Sequence, residues 1–177
     1  SEMCIRDRLK SGSSYLSAET DKTSADYGKL VYGSLNTSDL NEVVAGTWKV
    51  STKTTSGAVV YTFVNKVTGM TLAVDPTLAK TATNGLSGDV TLGSGTVSEW
   101  AFDASNHMYS YFKSDSIVFF DNTGALNKGK IADLSAALAV TEDVISTPIP
   151  ISADDLNTLM WSVDSKDNYF ALNMDPE

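Results

Sequence analysis

One imidazole is available for chemistry in this chain, at His107. Ser and Asp are abundant, so a Ser-His-Asp triad has its residue types, but no Gly-x-Ser-x-Gly elbow accompanies them. Asn106-His107 reads as a loop before a strand, and no catalytic residue is predicted. Zinc needs more than one His and the lone Cys4. Asp121-Asn122-Thr123-Gly124 and Asp154-Asp155 offer oxygens to Ca²⁺, yet neither has the full spacing of a dedicated loop. Gly93-Ser94-Gly95 lacks the Lys and helix of a phosphate loop. Neither a metal nor a cofactor is therefore expected. What recurs is an acid after an apolar run, at Glu19, Asp75, Asp121 and Asp175. Such a residue starts a turn well, and it also accepts hydroxyl donors from a ligand.

The elements that would position these acids read as β. Ser, Thr, Asn and Gly separate short apolar runs, and hydrophobic residues reach 42% of 177, enough for a core. Strands are predicted at 14–17, 29–32, 47–51, 59–65, 71–74, 90–92, 99–103, 108–113, 117–121, 130–133, 137–140, 159–163 and 169–173. Turn residues fall at Thr68-Gly69, Ser87-Gly88-Asp89 and Asn122-Thr123-Gly124. Ser152 and Asp155 resemble a capping box, which predicts a short helical turn. Residues 131–140 are the best candidate for a longer helix, and they keep no clean apolar stripe.

Trp48, Trp100 and Trp161 stand 52 and 61 residues apart, each with an apolar residue two positions on. Leu72-Ala73-Val74-Asp75-Pro76 matches Leu172-Asn173-Met174-Asp175-Pro176, with Val118-Phe119-Phe120-Asp121 between and Leu16-Ser17-Ala18-Glu19 as a looser copy. About four strands fall in each unit of roughly 50 residues, and such units must pack on one another. The expectation is an all-β domain, a β-trefoil by preference, with a β-sandwich or an open β array as alternatives. The three indoles are expected in its core.

The net charge of -9 argues against nucleic acid and anionic membranes as partners, since both need clustered Lys and Arg. No apolar run approaches the roughly 18 residues of a membrane span, so no membrane insertion is expected. Residues 3–8, Met-Cys-Ile-Arg-Asp-Arg, resemble a translated sequencing adaptor, which implies a metagenomic fragment. The expected division is an artefact at 1–8, the domain at 9–163 and a last strand or truncated segment at 164–177. With the true N-terminus missing, the lack of a signal peptide carries no weight. Cys4 falls inside the artefact, so disulfide and thiol chemistry are not expected.

Residues 60–75 resemble a ricin-type β-trefoil lectin repeat, through Asn65, Thr68-Gly69 and Leu72-Ala73-Val74-Asp75. Ser98-Glu99-Trp100 fills the place of that family's Gln-x-Trp with a different first residue. The chain is also similar to large secreted proteins of gut anaerobes. The resemblance implies non-catalytic recognition of glycans or surface glycoproteins by a secreted or cell-surface bacterial module. Asp75 matches the family's ligand Asp, Asp121 takes that place in the next unit, and Asn84 is the Asn that follows Asp75. The alternative expectation is a structural or adhesive spacer domain with no small ligand.

Overall fold

The computed structural model describes residues 7–77 and 96–144. Those residues are mostly antiparallel β, as the short apolar runs predict. β1 (Asp7–Ser11), β2 (Ser14–Ala18) and β3 (Leu30–Gly33) form a meander, and β10 (Thr141–Val144) returns to the outer edge of β1. β4 (Trp48–Thr55) and β5 (Ala58–Asn65) pair along their full length. β6 (Ala101–Phe102), β7 (Met108–Lys113), β8 (Ser116–Phe120) and β9 (Leu126–Gly129) form a second four-stranded sheet. Single bridges link the three sheets, from Arg8 to Thr47, Tyr61 to Trp100 and His107 to Ala139. No continuous ladder closes a sheet on itself among the described residues.

Local chemistry fixes the joints. Ser56 and Gly57 both take positive φ, the two-residue turn whose twist matches a hairpin. The short helix α1 (Leu40–Ala45) starts at Asp39, whose side chain accepts from Asn41 N–H at 3.0 Å. Its last carbonyls are answered by side chains. Thr47 Oγ1 donates to Val43 O at 2.6 Å, and Asn65 Nδ2 donates to Ala45 O at 2.9 Å. Asn65 is 1% exposed, and its Oδ1 accepts from the N–H groups of Val67 and Thr68, both at 3.1 Å. One buried amide thus joins the end of α1 to the turn after β5.

Burial follows the strand period. Trp48 and Val50 of β4 point inward, while Lys49 and Ser51 face out. β8 is buried on both faces. Val118 and Phe120 enter the main core, and Ile117 and Phe119 pack under Leu134 and Ala137. Trp48 (1% exposed) and Trp100 (0%) lie in one cluster with Leu16, Leu72, Val118 and Leu138. Burying each indole is worth about 4–6 kcal/mol in area terms. Each buried N–H also finds a carbonyl. Trp48 Nε1 donates to Leu16 O at 2.8 Å, and Trp100 Nε1 donates to Leu72 O at 3.0 Å.

Several sequence expectations need correction. Residues 130–133 are not a strand. A 3-10 helix spans Ile131–Ala136, because the Asp133 carboxylate accepts from Lys130 N–H at 2.8 Å and starts a helical turn. Residues 137–140 contribute bridges rather than a regular strand, and the strand proper is β10. Arg8 lies in β1, where it pairs with Asp143, and is 2% exposed. Trp161 and the expected elements at 90–92, 152–155, 159–163 and 169–173 lie outside the described residues.

Replacing Asn65 with Ala leaves the buried Ala45 carbonyl and two half-buried N–H groups without their partner. Urea unfolding of Asn65→Ala is expected to show a loss of about 3 kcal/mol. A loss under about 0.5 kcal/mol contradicts this role.

Candidate functional site

Each strand that ends in the recurrent acid is apolar and buried, so the acid emerges where the chain leaves the core. Glu19 follows β2, Asp75 follows the bridged segment at 71–74, and Asp121 follows β8. All three accept from the N–H two residues later. Glu19 Oε1 takes Asp21 N–H at 2.8 Å, Asp75 Oδ1 takes Thr77 N–H at 2.8 Å, and Asp121 Oδ1 takes Thr123 N–H at 2.9 Å. The hydroxyls of Thr77 and Thr123 donate to the same oxygens at 2.6 Å. Asp21 repeats the pattern with Thr23, at 2.8 and 2.7 Å. These are side-chain turns that fix the direction of the loop.

Two of the three predicted ligand residues, Asp75 and Asp121, then diverge. Asp121 is fully engaged: Oδ1 also accepts from Ala125 N–H at 3.2 Å, and Oδ2 accepts from Asn127 Nδ2 at 2.7 Å. Asp75 commits only Oδ1, and no donor among the described residues reaches its Oδ2. Pro76, buried beside it, anchors that turn. Asp75 and Asp121 start separate turns, although the Lys128 charge on β9 acts on Asp75. Asn84 lies outside the described residues.

Both carboxyls sit below their ordinary range. For Asp75 the causes are the Thr77 hydroxyl, then the Thr77 N–H, against a small opposing burial effect, with Lys128 adding its charge. For Asp121 burial pushes upward, but the hydrogen bonds from Thr123, Asn127 and Ala125 outweigh it.

His107 belongs to another loop. Its ring Nδ1 lies 2.8 Å from Asp103 Oδ2, while Asp103 Oδ1 accepts from the N–H groups of Ser105 at 2.8 Å and His107 at 2.9 Å. Burial pushes Asp103 upward, yet these bonds and the His107 charge hold its carboxyl low. Among the described residues no serine hydroxyl bonds this imidazole, and no cluster of three or more His, Cys, Asp or Glu forms. The pair's visible work is to brace the loop between β6 and β7.

The sequence reading missed the threonine two residues after each Asp, at 23, 77 and 123, and the role of Asn127. Asp-x-Thr at three turns was the available signal. No helix among the described residues is long and apolar enough to cross a membrane. No protein-family model matches the chain, and comparison with curated proteins finds no relative.

The lowered carboxyl of Asp121 makes a pH-dependent contribution. It is fully present above the unfolded value, near 4, and is lost as pH falls through the folded value. Asp121→Asn is expected to cost about 1 kcal/mol at pH 7, a figure already discounted for screening. Chemical unfolding at pH 7 and pH 2 checks it. The gap between wild type and variant should close at the lower pH, and a gap that persists there contradicts the assignment.

Proposed function

We propose that the chain is a non-catalytic recognition module for glycans or glycoproteins, built on a β-trefoil plan and working in a secreted or cell-surface protein. The order of pairings supports that plan. It runs from β1 to the start of β4, then β5, the Trp100 segment with β6, β7, the Ala139 segment leading into β10, and back to β1. Six strands paired in such a cycle are what a small barrel requires. Three further pairings repeat outside the cycle: β2 with β3, Val74 with Val97, and β8 with β9. On that plan Leu138 would stand in the third unit where Trp48 and Trp100 stand in the first two. Tyr61 N–H donates to Trp100 O at 2.7 Å, and Met108 N–H donates to Leu138 O at 3.1 Å in the same relation.

The observation that carries the ligand reading is the half-committed carboxylate of Asp75. Thr77 holds one oxygen and so orients the group, and among the described residues no donor takes the other, which can accept a sugar hydroxyl. Asp121, with both oxygens used, holds its own turn instead. The spacer reading draws on a different fact: all three acids serve their turns.

A glycan array separates the two. Wild type should bind a defined set of glycans, and Asp75→Ala should lose at least tenfold in affinity while keeping its circular dichroism and melting profile. A folded wild type that binds no glycan overturns the recognition reading and leaves the spacer. Binding unchanged in Asp75→Ala removes Asp75 from the site.

A further inference from the structure

A cleft of about 270 Å³ opens where β1, β4, β5, β6 and β10 converge with the loop before β7. None of its lining residues belongs to the turns that carry Asp75 or Asp121. Phe63 and Val140 form part of its buried floor. Tyr61 and Phe102 stand along it with centroids 5.0 Å apart and planes at 89°, an edge-to-face pair. Asn106 and Thr141 bring polar groups to its exposed rim. Among the described residues, no lining side chain is an Asp, Glu, Lys, Arg or His, on a chain whose net charge is -9.

The rim is held in place. Asn106 has a φ of 65°, a conformation that Asn tolerates better than most residues. The Asp103 carboxylate braces its loop from both sides, and Asn106 O accepts from Val140 N–H at 2.9 Å. The backbone that carries the Asn106 amide is therefore fixed to the cleft's own floor.

We propose that this cleft binds a small neutral aromatic or heteroaromatic molecule, about the size of two fused rings, with its one polar group bonded to the Asn106 amide. An apolar cavity of about 150 Å³ takes benzene, so the larger volume admits a second ring. A charged ligand is disfavoured, because it is desolvated there with no countercharge. A sugar is disfavoured as well, since one amide and the two hydroxyls of Tyr61 and Thr141 leave most of its hydroxyls without partners. The site is independent of the glycan reading, and either can fail alone.

Titration with indole, followed by ¹H–¹⁵N NMR of the full chain, tests it. Saturable shifts are expected at Tyr61, Phe102, Asn106 and Thr141, with none at the Asp75 turn. Thr141→Trp, at an exposed position, should plug the rim and abolish binding while circular dichroism stays unchanged. Asn106→Gly keeps the left-handed backbone, removes the amide, and should weaken binding about fivefold. It serves as the deciding variant should Thr141→Trp fail to fold. Absence of saturable shifts overturns the proposal, as does equal affinity in wild type and every folded variant.

Discussion

A buried indole N–H must find an acceptor, and in this chain the acceptor lies on a strand about thirty residues earlier. Trp48 reaches back to Leu16 O and Trp100 to Leu72 O. Each bond pins the segment that carries the ring onto an earlier β segment, through a side chain that also fills the core. The position of the ring is thereby set in two ways, by volume and by one polar contact. The surrounding cluster, from Leu9 to Val140, packs on rings whose orientation is already fixed. Leu138 packs in the same cluster and has no N–H to offer from its side chain. There the backbone comes close enough for a direct bond, from Leu138 N–H to Phe120 O at 2.8 Å. The same tie is made by a shorter route.

Polar side chains then do a second task, which is to end strands and turn the chain. Asn65 does it where α1 meets the β5 turn. Asp21, Asp75 and Asp121 do it with a threonine two residues on. The function argued for Asp75 depends on how completely that task consumes the carboxylate. Asn127 makes the difference, because it takes the second oxygen of Asp121, and no described residue does so for Asp75.

Much of this was legible in the residue pattern. Residues 108–113 and 59–65 are rich in aromatic and β-branched types and became β7 and most of β5. The inward tryptophans and the acid after each apolar strand could also be read directly. β9, Leu126–Gly129, could not, since Asn, Lys and Gly carry no strand signal and the pairing with β8 makes the strand. β10, Thr141–Val144, holds two acids and is a strand because the edge of β1 accepts it. Arg8 is enclosed, with its guanidinium 5.3 Å above the Tyr15 ring. Trp161, read as the third repeat residue, lies outside the described residues. The cleft had no local signature at all, as its walls come from segments scattered between Leu9 and Thr141.

Hydrogen exchange at the indole Nε1 positions is the most direct measurement of the central tie, with resonances assigned through Trp48→Phe and Trp100→Phe. Both indole protons should exchange only through global unfolding, so their protection should fall in step with stability as denaturant is added. If either proton exchanges freely in the native protein, the indole-to-carbonyl bond does not hold the strands together and the account is wrong.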